Sequence, residues 1–256
     1  MLAEGGTPRD RVDLTWAALT TGDGSRTLVH PVHGEACHSR AGAWQESRQR
    51  YAQACRLGEF RGGIFRLLDV GTGLGLNLAA ALEALDGTGA ALEAVTLERD
   101  ASVVEAGLAL PQPPEIARWI DAVRAGLASG SIRLVLGDAR ETLPALEPSL
   151  RFDAVFLDPF SPRVEPDLWT PIFLAEIARR MAPGSILSTY SAATGVRAGL
   201  VAAGLRVGPG GRVGTKGEGT LASPDRVLDS FDERTRRRIE RRAVGLSPAV
   251  RLPPAS

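Results

Sequence analysis

An apolar segment followed by three closely spaced glycines constrains the fold of this chain more than any other feature. The segment reads Leu67-Leu-Asp-Val-Gly-Thr-Gly-Leu-Gly-Leu-Asn77. It predicts a buried strand that turns sharply at the glycines and continues into a helix, because glycine tolerates the backbone angles of such a turn and lets a ligand approach closely. A bare strand–helix turn without a ligand is the alternative interpretation of this motif alone.

The spacing of the glycines indicates which ligand the turn favours. Gly71, Gly73 and Gly75 do not follow the Gly-x-Gly-x-x-Gly pattern of dinucleotide sites. The pattern Asp-x-Gly-x-Gly-x-Gly suits S-adenosylmethionine, which has no pyrophosphate. Glu98 ends the next predicted strand, where a carboxylate reaches ribose hydroxyls, and Asp138 ends a third, near an adenine amino group. Each acid taken singly is also a typical helix N-cap.

Short apolar segments alternate with helical patterns from residue 64 onward, which predicts an α/β fold with a mostly parallel, doubly wound sheet. Strands are predicted at Ile64–Val70, Leu92–Leu97, Ile132–Leu136, Ala154–Leu157 and Ser185–Tyr190. Helices are predicted at Gly75–Leu85, Ala101–Leu110, Glu115–Ala128, Leu143–Leu146, Pro171–Met181 and Gly195–Ala203. A glycine-rich turn at Pro209–Gly219 and a short strand at Thr220–Ala222 predict a closing antiparallel hairpin. Together with the glycine turn, this order predicts the Rossmann-like class I S-adenosylmethionine-dependent methyltransferase fold.

Three regions are expected along the chain. Residues 1–60 form an N-terminal extension, with a hairpin of Asp13–Leu19 and Thr27–His33 and a capping helix at Gly42–Phe60. Residues 61–223 form the methyltransferase domain, and residues 224–256 form a basic C-terminal tail. The arginine-rich run at 234–242 is interpreted either as a contact for nucleic-acid phosphates or as a solvated helix.

The fourth predicted strand ends in a corner, Asp158-Pro-Phe-Ser-Pro162, that is a candidate for the reacting site. Asp158 offers a hydrogen-bond acceptor, Pro159 fixes the backbone, and Phe160 offers a flat face for a base. Such a corner resembles the Asp-Pro-Pro-Tyr arrangement of amino-directed methyltransferases, and it predicts that Asp158 accepts a proton from an attacking amine. The alternative is a proline turn in which Phe160 only packs.

Composition and charge restrict the kinds of partner and the cellular location that the sequence allows. Thirty Lys and Arg residues balance thirty Asp and Glu residues, so any nucleic-acid contact must use a local patch. The chain has no apolar run long enough for a membrane span and no secretory signal pattern, which predicts a cytoplasmic protein. The spacing of His30, His33, Cys37 and His38 fits no usual zinc site, so no metal is expected.

Several motifs together resemble the methyltransferase domain of the MnmC-type tRNA (5-methylaminomethyl-2-thiouridine) methyltransferases, in the stand-alone form without the flavin oxidoreductase domain. The resemblance covers about residues 20–223 and rests mainly on Thr21-Gly-Asp-Gly-Ser25, Gly34-Glu35, Gly71-Thr-Gly-Leu-Gly-Leu-Asn77, Phe156-Leu-Asp-Pro-Phe-Ser-Pro162 and Pro166-Asp-Leu-Trp169. It implies methyl transfer from S-adenosylmethionine to the aminomethyl group of the wobble uridine, in the anticodon region of tRNA. A separate enzyme is then expected to supply the aminomethyl precursor.

The motifs and the resemblance together assign residues to roles. Catalysis is assigned to Asp158 and Phe160. Cofactor binding is assigned to His38, Glu46, Asp69, Gly71, Gly73, Gly75, Asn77, Glu98, Asp138, Ala139 and Asp158. Substrate binding is assigned to Pro159, Phe160, Ser161, Pro162, Trp169 and Lys216. The rival functions are a methyltransferase or aminopropyltransferase acting on a small-molecule amine, and a non-catalytic RNA-binding protein. An aminopropyltransferase needs several acids along a polyamine channel, and the sequence places only Asp158, Glu165 and Asp167 near the reacting corner.

Overall fold

The structure is a computed structural model that describes residues 15–214 and 216–246, without the side chain of Lys216. It begins with an antiparallel hairpin of β1 (Ala17–Thr20) and β2 (Arg26–Val29). The turn of the hairpin is held by Asp23, whose carboxylate accepts hydrogen bonds from the hydroxyls of Thr21 and Ser25 at 2.8 and 2.5 Å. The predicted hairpin is therefore confirmed, although residues 13 and 14 of its first strand lie outside the described residues.

A seven-stranded sheet forms the centre of the molecule. Its strands are β3 (Ile64–Val70), β4 (Ala91–Glu98), β5 (Ile132–Leu136), β6 (Phe152–Leu157), β7 (Met181–Thr189), β8 (Arg206–Val213) and β9 (Lys216–Ser223). The strands lie in the order β5-β4-β3-β6-β7-β9-β8. Strands β3 to β7 are parallel, whereas β9 pairs antiparallel with β7 and with β8. The strand order reverses between β3 and β6, which is where ligands bind in doubly wound sheets.

Helices cover both faces of the sheet. They are α1 (Ala43–Glu46), α2 (Leu76–Leu85), α3 (Ala101–Ala109), α4 (Pro114–Ser129), α5 (Ala139–Thr142), α6 (Pro171–Arg180), α7 (Thr194–Ala202) and α8 (Glu233–Val244). Successive strand residues face opposite sides, so Leu67 packs with α2 and α4 while Leu68 packs with α6 and α7. The predicted α/β class with a mostly parallel sheet and an antiparallel last strand is confirmed.

Several predicted elements differ from the structure. The predicted helix at Leu143–Leu146 is wrong: a helix forms one turn earlier, as α5, because the Asp138 carboxylate accepts a hydrogen bond from the Arg140 N–H at its start. The guanidinium of buried Arg180 then binds the carbonyl oxygens of Leu143, Pro144, Leu146 and Glu147 at 2.6–3.2 Å, which holds the following segment as a turn. Those bonds satisfy carbonyl groups that a longer helix would have paired.

The glycine-rich segment Pro209–Gly219 is also not the extended turn predicted from its composition. Most of it belongs to β8 and β9, and the two strands meet near Gly214, which has φ +55°. Gly219 fits β9 because the strand there passes close to a buried side chain. A Cβ on Gly219 would overlap Nη1 of Arg50 and lie 2.5 Å from the carbonyl oxygen of Thr189.

The predicted capping helix at Gly42–Phe60 is divided into three parts. After α1, residues Ser47–Gln53 form a π-helical segment, and a single 3-10 turn follows at Leu57–Glu59. This stretch packs on the sheet through buried Tyr51 and Ala52, and the hydroxyl of Ser188 in β7 donates to the carbonyl oxygen of Arg50 at 2.5 Å. The N-terminal extension therefore lies directly against the sheet.

The basic run predicted in the tail forms α8, which packs against α7 through buried Ile239 and Ala243. The rest of the tail, residues 247–256, lies outside the described residues, and the three proposed regions remain a prediction. No helix in the described part of the chain has the length and apolar character needed to cross a membrane.

Candidate active site

A cleft of about 1130 Å³, partly open to solvent, lies at the carboxyl ends of β3, β4, β5 and β6. Both corners that the sequence singled out line it: the glycine turn after β3 contributes Gly71 and Gly73, and the corner after β6 contributes Asp158, Pro159 and Phe160. The N-terminal extension closes one side with Glu35, Ala36, Cys37, His38 and Glu46.

The glycine turn lies directly against the Asp158 corner. Gly71 has φ +91°, and a Cβ at this position would lie 2.6 Å from the carbonyl oxygen of Asp158. Gly73 has φ +49° with no atom within 4 Å of its Cβ position, so its backbone faces open space in the cleft. Gly75, with φ +77°, is the residue from which α2 begins. The first glycine therefore permits close contact between the corners, and the second leaves room for a ligand.

Glu98 ends β4 and reaches under the glycine turn. One carboxylate oxygen accepts the Gly73 N–H at 3.1 Å, and the other accepts the N–H groups of Arg99 and Asp100 at 2.8 and 3.1 Å. Burial raises the pKa of Glu98 above its usual value, against the lowering effect of these hydrogen bonds. Three backbone N–H groups therefore fix the Glu98 carboxylate in the wall of the cleft.

Asp158 is fixed by two side chains. The buried hydroxyl of Tyr51, in the π-helical segment, forms a short hydrogen bond to one carboxylate oxygen, and the amide nitrogen of Asn77 donates to the other at 2.8 Å. Burial first, and the charge of Asp158 next, raise the pKa of Tyr51 well above its usual value, so its hydroxyl keeps the proton that it donates. Each carboxylate oxygen has a second lone pair, so Asp158 can accept further hydrogen bonds from the cleft.

The loop that carries Phe160 is held on three sides. The Phe160 N–H donates to Glu165 at 3.0 Å, and its carbonyl oxygen accepts the indole N–H of Trp169 at 2.9 Å. The hydroxyl of Tyr190 donates to the carbonyl oxygen of Pro159 at 2.9 Å, and burial raises the pKa of Tyr190. These bonds fix the ring of Phe160 at the edge of the cleft.

Four of the other predicted residues line the cleft. Asp138 and Ala139 line the cleft, but the Asp138 carboxylate pairs with Arg140 at 2.6 Å, which lowers its pKa. His38 and Glu46 also line the cleft, and Glu46 accepts the Ser39 N–H at 2.7 Å.

Most of the remaining predicted residues do not line the cleft. Asp69 is fully buried, where it accepts the hydroxyl of Thr96 at 2.8 Å, and burial raises its pKa well above the usual value. Asn77 and Trp169 lie behind Asp158 and Phe160 as supports, while Gly75, Ser161 and Pro162 are not among the lining residues. Lys216 begins β9, and its side chain lies outside the described residues.

Sequence reasoning missed Tyr51, Tyr190, Glu35, Arg99 and Arg140, all of which line the cleft or contact residues that do. Glu35 accepts the hydroxyl and the N–H of Ser161 at 3.0 and 3.3 Å, so it ties the N-terminal extension to the Phe160 loop. No local sequence pattern joins residues 126 positions apart. The available signal for Glu35 was its place in the Gly34-Glu35 motif, one of those that resemble the family.

The cleft is strongly acidic. Seven carboxylates line it, against the two arginines Arg99 and Arg140; the acids are Glu35, Glu46, Glu98, Asp138, Asp158, Glu165 and Asp167. The sequence had assigned six of these seven acids to the cofactor pocket or to the reacting corner, and only Glu35 was not predicted. S-adenosylmethionine carries a sulfonium and an ammonium group, and carboxylates suit both. Together with the open backbone at Gly73, this donor set fits that cofactor. Among the described residues, no three His, Cys, Asp or Glu side chains form a group able to hold a metal ion.

Comparisons with known proteins agree with this geometry. Residues 108–225 match a family model described as S-adenosyl-L-methionine-dependent methyltransferase. The crystal structure of MNMC2 from Aquifex aeolicus superposes with a TM-score of 0.78 and 30% identity, covering 90% of this chain and 77% of that one. The chain belongs to the MnmC-type family of S-adenosylmethionine-dependent methyltransferases. This membership confirms the resemblance, the fold, the enzyme class and the cofactor.

Two curated relatives define how far the similarity extends. The tRNA 5-methylaminomethyl-2-thiouridine biosynthesis bifunctional protein MnmC of Pseudomonas aeruginosa is 36% identical over 194 residues, which is 67% of this chain and 29% of that protein. The uncharacterised protein MJ0670 of Methanocaldococcus jannaschii is 30% identical over 233 residues, covering 84% of this chain and 63% of that protein. The chain thus spans under a third of the length of the MnmC relative.

Proposed function

We propose that this methyltransferase transfers a methyl group to the aminomethyl nitrogen of the modified wobble uridine of tRNA, converting 5-aminomethyluridine to 5-methylaminomethyluridine. The observation that carries the proposal is that the glycine turn and the Asp158 corner line one acidic cleft and lie so close that a Cβ on Gly71 would be 2.6 Å from the carbonyl oxygen of Asp158. The printed name of the bifunctional relative, which acts in tRNA 5-methylaminomethyl-2-thiouridine biosynthesis, supports the choice of substrate.

The chain's own residues divide the cleft into two sides. On the cofactor side, Glu98 lies where a carboxylate accepts ribose hydroxyls, Asp138 and Ala139 lie at the adenine end, and Gly73 leaves its backbone accessible. His38 and Glu46 close the pocket from the N-terminal extension. Bound S-adenosylmethionine supplies an electrophilic methyl group, so the protein needs to position a nucleophile rather than activate the donor.

On the substrate side, Asp158 handles the amine. An alkyl amine is mostly protonated at neutral pH, and its nitrogen must lose a proton to expose a lone pair. Asp158 accepts that hydrogen bond and orients the nitrogen, and it takes the proton or passes it to water. Because Tyr51 and Asn77 hold the carboxylate from behind, its remaining lone pairs face a fixed direction. Phe160 offers its ring to the uracil base, supported by Trp169 and Pro159.

The acidic lining also suits a polyamine, which makes an aminopropyltransferase the second candidate. Such an enzyme uses the decarboxylated cofactor, and Glu35 adds one acid to the three that the sequence placed near the reacting corner. Family membership favours the methyl transfer. Isothermal titration separates the two: tight binding of S-adenosylmethionine with much weaker binding of its decarboxylated form supports methyl transfer, whereas the opposite order supports the rival.

The direct test uses tRNA isolated from cells that lack the final methylation and therefore carries aminomethyluridine. This tRNA is incubated with the protein and methyl-labelled cofactor, digested to nucleosides and analysed by mass spectrometry. We expect the label in 5-methylaminomethyluridine from the anticodon region, and none in tRNA that lacks the aminomethyl group. If a small amine added to the same reaction becomes labelled and the tRNA does not, the proposal is contradicted. The aminomethyl precursor is expected to come from a separate enzyme.

A further inference from the structure

A second, smaller recess adjoins the cleft on the outer side of Phe160. It measures about 440 Å³ and lies between the N-terminal hairpin, the start of α3 and the Phe160 loop. Six residues line both spaces: Glu98, Arg99, Val103, Phe160, Val164 and Glu165. The recess meets the substrate side of the site at Phe160 and the cofactor side at Glu98, whereas Gly71, Gly73 and Asp138 do not line it.

Aromatic rings form one wall of this recess. The ring of His30 lies edge-on to Trp16 at a centroid distance of 5.0 Å and to Phe160 at 5.3 Å, and it tilts against His33 at 4.3 Å. Trp16, His30 and Phe160 are only partly buried, and His33 is exposed. Phe, Trp and Tyr make up only 5% of this chain, so abundance does not explain the grouping.

Two of these rings are held in place before any ligand binds. The Nδ1 atom of His30 accepts the N–H groups of Val32 and His33 at 3.1 and 3.2 Å, which places the ring proton on Nε2 and keeps the imidazole neutral. Burial, and next the neighbouring His33, lower the pKa of His30 in agreement with this arrangement. The indole N–H of Trp16 donates to the hydroxyl of Ser102 at 3.0 Å.

We propose that this recess, formed by Trp16, His30, His33 and Phe160, binds the base of a nucleotide next to the reacting uridine in single-stranded RNA. The inference rests on the proposed function. Sequence-specific RNA recognition commonly stacks splayed bases on aromatic and histidine rings. A uridine entering the cleft beside Phe160 leaves its chain neighbour within reach of the same ring's outer side. The exposed guanidinium of Arg99 lines both spaces and pairs with Glu165 at 3.1 Å, and we expect it to meet the phosphate between the two nucleotides.

The test combines changes in the protein with changes in the RNA. An anticodon stem-loop carrying aminomethyluridine is prepared with its bases intact and with an abasic site on either side of the wobble nucleotide. With the wild-type protein, one abasic site raises KM about tenfold, within the range of one base–aromatic stack. With Trp16→Ala or His30→Asn, KM for the intact stem-loop should already be about tenfold higher than with the wild-type protein. The abasic site should then raise KM little further. His30→Asn keeps an oxygen near the two loop N–H groups while removing the ring.

Two controls keep the outcomes distinct. Phe60→Ala removes a ring from an edge-on aromatic pair with Phe65 that is far from the cleft, and KM for every stem-loop should stay at the wild-type value. The affinity for S-adenosylmethionine, measured by titration, checks that each variant keeps its fold. If the wild-type protein methylates the stem-loop but both abasic RNAs and both ring variants keep the normal KM, the recess does not bind a base. If the wild-type protein methylates no stem-loop, the proposed function itself fails.

Discussion

At the scale of single residues, the proposed chemistry depends on how the Asp158 carboxylate is held. Tyr51 comes from a segment 107 positions earlier, and Asn77 comes from the helix that starts at the glycine turn. A carboxylate left without these donors would rotate, and its lone pairs would no longer point to one place. Tyr51 is therefore a positioning residue for Asp158.

Tyr51→Phe tests this positioning role. Loss of a hydrogen bond to a charged group costs about 1.5–3 kcal/mol, and we expect kcat to fall by about 10- to 150-fold. The affinity for S-adenosylmethionine should change little, because the deleted hydroxyl contacts Asp158. In an Asp158→Asn background, the same change should cause almost no additional loss. Equal losses in both backgrounds, measured by single-turnover methylation, would show that Tyr51 acts independently of Asp158.

Glu98→Gln tests the carboxylate on the cofactor side. Burial raises the pKa of Glu98, and a cationic cofactor binds better to its ionised form. The affinity of the wild-type protein for S-adenosylmethionine should therefore rise with pH through the raised pKa of Glu98. The variant should bind about 5- to 150-fold more weakly at high pH, equivalent to about 1–3 kcal/mol, and its affinity should depend less on pH. Titration calorimetry from acidic to neutral pH checks both effects. If the affinity of the variant for S-adenosylmethionine depends on pH as strongly as that of the wild-type protein, Glu98 is not the group that causes the dependence.

At the scale of elements, the β8–β9 hairpin is built around two buried arginines. The guanidinium of Arg50 donates to the carbonyl oxygens of Gly211 and Gly217 at 3.3 and 3.0 Å. The guanidinium of Arg197 binds Glu218 at 2.6 Å and the carbonyl oxygen of Gly219 at 3.0 Å. These bonds join the hairpin to the π-helical segment and to α7, so the antiparallel end of the sheet is fixed to the N-terminal extension.

The glycines of β9 provide a matched pair for testing this packing. Gly219→Ala places a Cβ against the Arg50 guanidinium and the Thr189 carbonyl, whereas a Cβ on Gly217 has no atom within 4 Å. We expect Gly219→Ala to lower the free energy of unfolding by about 1–3 kcal/mol or more, as overpacking does. Gly217→Ala should lie within about 0.5 kcal/mol of wild type, as surface changes usually do. Urea unfolding measures both, and equal effects would contradict the packing described.

The elements also show what the sequence could predict. Ile64–Val70 and Ile132–Leu136 are strands with the predicted bounds, because their apolar residues dominate the local signal. The segment Pro209–Gly219 was predicted to be a turn because its glycine-rich composition favours one. In the structure most of it forms strands, and one of its glycines lies against Arg50. The contact of Tyr51 with Asp158 was not predicted, since it depends on a π-helical segment and on tertiary packing. The local sequence pattern therefore predicted the glycine turn and the Asp158 corner, but it did not predict the side chains that fix them in place.

At the scale of the whole molecule, the proposed binding of RNA by a chain of zero formal net charge requires a local basic surface. Helix α8 offers one. Carboxylates of Glu233 and Glu240 pair with Arg236, and Glu233 also pairs with Arg237. In the described part of the chain, none pairs with Arg238, Arg241 or Arg242. A Cβ on Gly195, in the first turn of α7, would lie 3.4 Å from the Arg242 guanidinium, and α7 follows the carboxyl end of β7. The basic surface therefore reaches the edge of the sheet that holds the cleft.

Replacement of Arg238, Arg241 and Arg242 by glutamine tests this surface. If the three arginines bind phosphates, tRNA affinity should fall, and the slope of log affinity against log salt should decrease by about one for each phosphate that is no longer neutralised. The affinity for S-adenosylmethionine should not change, since α8 does not line the cleft. Arg236→Gln with Arg237→Gln on the same helix is the matched control, because those two charges are already neutralised by glutamates. A salt slope that decreases equally in both variants would mean that α8 contributes general charge rather than specific binding of phosphates.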